Sequence, residues 1–162
     1  RRAVKWRQRK RQSMEITVIN QQKKIRIPKR TLEIQAHKVF DAMRRTRQGR
    51  AVCPDASAVE LSIVLVNNSE IRRLNRSWRG VDSVTDVIAF PLDKKTAKHG
   101  EPVLGDILIS VEQAKRQAGQ FGHSLTTELR ILLTHGILHT LGWRDDTPGR
   151  RKAMTKKVQE LL

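Results

Sequence analysis

Residues 134–146 read THGILHTLGWRDD. His135 and His139 stand four positions apart, and on an α-helix such residues lie one above the other on a single face. Both imidazoles then point at one centre. Gly142 follows, a residue type that takes the left-handed conformation which ends a helix and turns the chain back. The return brings Asp145 or Asp146 toward the histidines. This spacing predicts a metal site with two nitrogen ligands and one carboxylate, leaving a coordination position open as a catalytic zinc requires. The plain alternative is a histidine pair without a metal; the glycine and the carboxylates behind it weigh toward the metal.

Working outward, SLTTELRILLTHGILHTLG predicts one long helix over about 124–141. Ser124 to Thr127 supply its cap, and Leu129, Leu132, Leu133, Ile137, Leu138 and Leu141 its buried face. Pro148 opens a final helix that runs to about Leu162. Upstream, MEITVINQ alternates as a strand over 14–20, and VELSIVLV reads as a second strand over 59–66. A helix is expected over 29–47, with Leu32, Ile34, Val39, Phe40 and Met43 inward, then a loop from Gly49 to Ser57. Asn67, Asn68 and Ser69 cap a helix that runs to about Trp78. A short strand over 85–90 stops at Pro91, a polar loop carries His99, and a strand over 105–110 leads into a helix over 111–121. His37 and His99 read as a structural and a solvated histidine. Strands and helices mix without strict βαβ alternation, so the fold class is α+β: a single domain with a mixed sheet of about four strands flanked by helices.

Charge sets the class of partner. The 162 residues carry 33 Lys and Arg against 16 Asp and Glu, a formal net charge of +17. Such a field attracts polyanions and speeds their encounter, pointing to RNA, DNA or a ribosome. No apolar run approaches the ~18 residues of a membrane span, so no membrane partner is expected. The single cysteine, Cys53, closes no intrachain disulfide, which fits a reducing, cytoplasmic compartment. Residues 1–13 hold seven basic side chains and no acid. Self-repulsion and few apolar residues predict a disordered arm. It could grip phosphate, act as an organellar address, or precede a start at Met14. The remainder, 14–162, is expected to form the domain.

HGILHTLGW closely resembles the His-Gly-x-Leu-His-x-Leu-Gly-Tyr motif of the YbeY endoribonucleases, also called rRNA maturation factors. The family motif continues Gly-Tyr-Asp-His, where the last histidine is the third metal ligand. That position falls on Asp145. The family's methionine nine residues further on falls on Met154, which favours Asp145 over Asp146. LNRSWRGVDSVTDVIAFPL (74–92) and LGDILIS (104–110) resemble two further family segments, so the likeness covers most of 14–162.

The resemblance implies a zincin-like metal-binding helix. It implies zinc or another divalent ion on His135, His139 and Asp145, and catalytic roles for Arg79 and His135. It further implies a single-strand-specific endoribonuclease acting in small-subunit rRNA 3′-end maturation and ribosome quality control, with rRNA and the small subunit or its assembly intermediates as partners. From the residues alone Arg79 is one solvated arginine among many; the resemblance makes it a phosphate clasp. Arg73 and Arg76 are expected to be accessory phosphate contacts. Asp82, Thr85 and Asp86 are candidates to line the cleft or to serve turns and caps, and Asp106 to orient a neighbour.

Three departures stand out: Asp145 for histidine, Trp143 for tyrosine, and Arg150 where the family commonly has glutamate. A carboxylate is an acceptable zinc ligand, but its charge makes the ion a weaker Lewis acid. Gly136 occupies the position where a His-Glu-x-x-His protease carries its general base, which counts against peptide hydrolysis. The alternative from another class is a non-catalytic RNA-binding ribosome-assembly factor with a degenerate metal site.

Overall fold

The computed structural model describes residues 14–52, 59–91 and 103–162. The basic segment 1–13, Cys53 and His99 lie outside the described residues. The elements run β1 (Met14–Asn20), α1 (Lys29–Met43), α2 (Arg47–Val52), β2 (Val59–Val66), α3 (Asn68–Arg79), β3 (Val87–Pro91), β4 (Val103–Ser110), α4 (Val111–Phe121), α5 (Leu125–Thr140) and α6 (Pro148–Leu161).

The sheet is mixed, in the order β1-β2-β4-β3. β1 pairs parallel with β2 and β2 with β4, while β3 lies antiparallel on the outer edge of β4. Strand alternation sends successive side chains to opposite faces, and the sheet uses both. Leu61, Ile63, Leu65, Ile107 and Ile109 face a large core made with α1, α5 and α6. Val64, Val66, Ile88 and Phe90 face the opposite way and pack with Ile71 and Leu74 of α3 in a smaller cluster. Thus α5 and α3 cover opposite faces of one sheet. No helix among the described residues is long and apolar enough to cross a membrane.

The element boundaries depart from the sequence reading in several places, β4 for one beginning at Val103 instead of position 105. The helix expected over 29–47 ends at Met43, and a separate short helix occupies 47–52 where a loop was expected from Gly49. Thr46 makes the break: its hydroxyl donates to the Met43 carbonyl at 2.7 Å and accepts from the Gly49 amide at 3.1 Å. Hydroxyl side chains compete in this way for helix backbone groups. Ile34, expected inward, is exposed. The strand expected over 85–90 begins at Val87, because the Asp86 carboxylate accepts from the Val87 amide at 2.8 Å.

Candidate metal centre

α5 is fixed at both ends. Ser124 caps it by accepting from the Thr127 amide at 3.1 Å. At the other end Gly142 has φ +85°, the Trp143 amide donates to the Leu138 carbonyl, and the Gly142 amide donates to the His139 carbonyl. This pair of bonds is a Schellman closure, which needs the left-handed glycine. One residue before His135, buried Thr134 receives a hydrogen bond from Gln35 of α1 at 3.0 Å, tying α5 to its neighbour. Gly136 lets α5 settle on β4: a Cβ there would stand 2.7 Å from Ile107 Cγ2.

The two imidazoles meet as the sequence predicts. His135 Nε2 and His139 Nε2 are 2.9 Å apart, and Asp145 Oδ2 lies 3.6 Å from the first and 3.7 Å from the second. A tetrahedral zinc with ligands at ~2.0–2.1 Å separates its ligand atoms by about 3.3 Å, which these distances bracket. His139 Nδ1 lies 3.1 Å from the Trp143 carbonyl. Donation from Nδ1 to that oxygen leaves the Nε2 lone pair for a metal, a common second partner of a ligand histidine. Burial holds His135 below the ordinary imidazole range and His139 adds to this, while Asp145 and Asp86 oppose it. A neutral imidazole is the form that binds metal.

Asp146 is excluded from the cluster by its own partners. Its carboxylate accepts from Arg144 at 2.7 Å and from Arg150 at 2.8 Å, and Arg150 holds its carboxyl below the usual range. His135, His139 and Asp145 are the one group among the described residues with three metal-capable side chains converging. The donor set, two imidazoles and a carboxylate at bonding separation, fits a divalent ion such as zinc.

The cluster opens into a cleft of about 570 Å³, lined also by Arg79, Trp78, Thr85, Asp86 and Phe90. Arg79 closes α3 and Gly80 ends that helix. The Arg79 guanidinium has no ion pair or hydrogen bond among the described residues. Asp86 is held rigidly: Oδ1 also faces the Thr85 hydroxyl, and Oδ2 accepts from Gln117 at 2.9 Å. Asp82 lies elsewhere, clasped by Arg72 through two bonds of 2.8 and 3.0 Å, in a separate depression that also includes Arg73 and Arg76. Arg73 is tied to Glu70. Asp106 sits within β4 opposite Phe90 and is not a lining residue of the cleft. His37 is exposed on α1, outside the cluster. The sequence reading assigned no part to Trp78 or Phe90 as cleft walls; the available signal was a tryptophan adjoining Arg79 on a strongly basic helix.

The family model of endoribonuclease YbeY matches residues 17–162. An endoribonuclease YbeY of Bacillus licheniformis is 44% identical over 114 residues, spanning 66% of this chain and 72% of that protein. One from Acetivibrio thermocellus is 37% identical over 161 residues, 92% of this chain and 95% of its own length. Among solved structures, the solution structure of a Thermotoga maritima protein aligns with a TM-score of 0.54 at 25% identity, covering 90% of this chain and 88% of that one.

Proposed function

This chain belongs to the endoribonuclease YbeY family, and on that premise we propose that it is a metal-dependent endoribonuclease cutting single-stranded rRNA in small-subunit 3′-end maturation. The observation that carries the reading is one cleft holding both the His135–His139–Asp145 cluster and Arg79, which has no partner among the described residues. A formal charge of +17 supplies the attraction for the substrate. Gly136, buried between the two histidines, leaves no room for the glutamate of a zinc protease.

His135, His139 and Asp145 would hold one divalent ion, which supplies Lewis acidity toward a phosphodiester. The chain's own contribution is positioning and charge. Arg79 offers two parallel N–H donors to the phosphate oxygens and stabilises the charge that develops on them. Asp86 keeps its place through Gln117 and the Val87 amide, adding a fixed negative charge at the wall. The Trp143 carbonyl orients His139.

The test compares cleavage of a single-stranded small-subunit rRNA fragment by metal-stripped protein, zinc-reloaded protein and reloaded Arg79→Ala, with metal content measured for each. Stripping should abolish cleavage and reloading restore it. Arg79→Ala should retain metal while losing about 10²–10³ in rate. Stoichiometric metal and RNA binding without cleavage in any form would instead support the assembly-factor reading. RNA affinity should also fall steeply with rising salt, as phosphate contacts release counterions.

A further inference from the structure

Of the six large hydrophobic side chains exposed among the described residues, three fall between positions 78 and 84: Trp78, Val81 and Val84. Trp78 is the largest and is 70% exposed. Its indole meets Phe90 edge to face, with ring centroids 5.6 Å apart and planes at 62°. Phe90 is itself anchored, packed against the Val66–Ile71–Ile88 cluster. Among the described residues the indole is therefore braced from one side and largely open, on the wall of the cleft that contains Arg79 and the two histidines. A single exposed apolar residue is ordinary on a protein surface. A braced tryptophan beside an arginine with no partner among the described residues is more specific, because nucleic-acid strands present alternating flat bases and phosphates.

We propose that Trp78 is the base-stacking platform of the cleft, receiving one unpaired nucleobase of the RNA while the adjoining phosphate is held by Arg79. The inference rests on the endoribonuclease reading and extends it to strand selection. Every base has a flat π-face, so stacking tolerates sequence, and each stacked base contributes ~1–3 kcal/mol. A base in a duplex must leave its partner and its neighbours to reach the indole, which costs a few kcal/mol. Trp78 thereby favours single strands over duplexes, while Arg79 and the metal cluster act on the backbone common to both. Charge complementarity commits the occupant to nucleic acid: Arg79, which has no ion pair among the described residues, adjoins Trp78 in the cleft, and the chain carries a formal charge of +17.

Two measurements test this. Fluorescence anisotropy reports binding of a labelled 2′-O-methyl oligoadenylate decamer and of versions with an abasic sugar at one position at a time. Wild-type protein should lose about 5- to 150-fold in affinity at the abasic position that faces the indole, the range corresponding to one stacked base. Trp78→Ala should bind the intact decamer that much more weakly and be indifferent to where the abasic sugar lies. Trp78→Phe keeps a flat ring and should recover most of the affinity. In cleavage assays Trp78→Ala should raise KM with kcat nearly unchanged, as loss of uniform binding does, and narrow the preference for single-stranded over duplex RNA. The abasic series on wild-type protein needs no variant, so it reads out even if Trp78→Ala folds poorly. Equal binding of intact and abasic decamers by wild type, or an unchanged affinity in Trp78→Ala, overturns the stacking platform while leaving a cleaving enzyme intact. Position-specific loss in a protein that does not cleave would sustain the platform and remove the nuclease reading.

Discussion

Gly136→Ala isolates how closely α5 must approach the sheet while His135 and His139 converge with Asp145. The new Cβ would stand 2.7 Å from Ile107 Cγ2, 3.2 Å from Cδ1 and 3.4 Å from Cγ1. Ile107 is fully buried in β4, and protein interiors are close-packed. Overpacking of this kind costs about 1–3 kcal/mol. Alanine gains about 0.5–1 kcal/mol over glycine within a helix, so the net loss should be roughly 0–2.5 kcal/mol. The diagnostic is the dependence on Ile107. In an Ile107→Ala background the obstructing atoms are gone, and the same Gly136→Ala change should stabilise by roughly 0.5–1 kcal/mol through helix propensity. The two backgrounds then differ by about 1–3 kcal/mol, a coupling within the range seen for residues in contact. Urea unfolding of the four proteins gives each free energy, and zinc affinity by competition with a chelator reports whether the histidines moved. Equal effects of Gly136→Ala in both backgrounds would refute the claim that Ile107 sets the helix–sheet approach.

Three other outcomes follow from the site. Wild-type protein should carry one zinc per chain by mass spectrometry, Asp145→Ala should lose it, and Asp145→His should bind zinc more tightly; equal zinc affinities for wild type and Asp145→His would contradict a weakening carboxylate. Asp146→Ala removes exposed pairs with Arg144 and Arg150. It should therefore change stability by less than about 0.5 kcal/mol and leave metal content untouched; loss of zinc would place Asp146 in the coordination sphere. Gly142→Ala has steric room, with Gln48 Nε2 as the nearest atom at 3.7 Å. Its left-handed backbone should still cost about 1–2 kcal/mol, measured by thermal or urea unfolding, and lower zinc affinity because the turn delivers Asp145; an unchanged stability would deny the glycine its conformational role.

The histidine pair, the glycine stop and the direction of the returning carboxylates were legible in residues 134–146 because helix geometry is local: four residues make about one turn whatever surrounds them. The alternating and buried strands, the asparagine and serine caps and the proline-started last helix were legible for the same reason. The mixed α+β architecture followed from the order of those elements. Boundaries were less legible where a side chain intervened, as Thr46 does in ending α1 and Asp86 in delaying β3.

Tertiary structure decided what no local rule contains. Two adjacent aspartates are chemically alike, and spacing alone permits either as a ligand; the folded chain pairs Asp146 with its near neighbours Arg144 and Arg150, and its turn brings Asp145 to the histidines one helix end away. From the residues alone Arg79 is one basic residue among many, singled out only by the family resemblance; α3 and α5, on opposite faces of the sheet, place it and the histidines on one cleft. Trp78 acquires meaning only when Phe90, twelve positions on, braces it. Sequence fixes what neighbours along a helix can do, since their separation is set by covalent geometry; packing across a sheet depends on which distant surfaces bury each other, and the chain's own order does not state that.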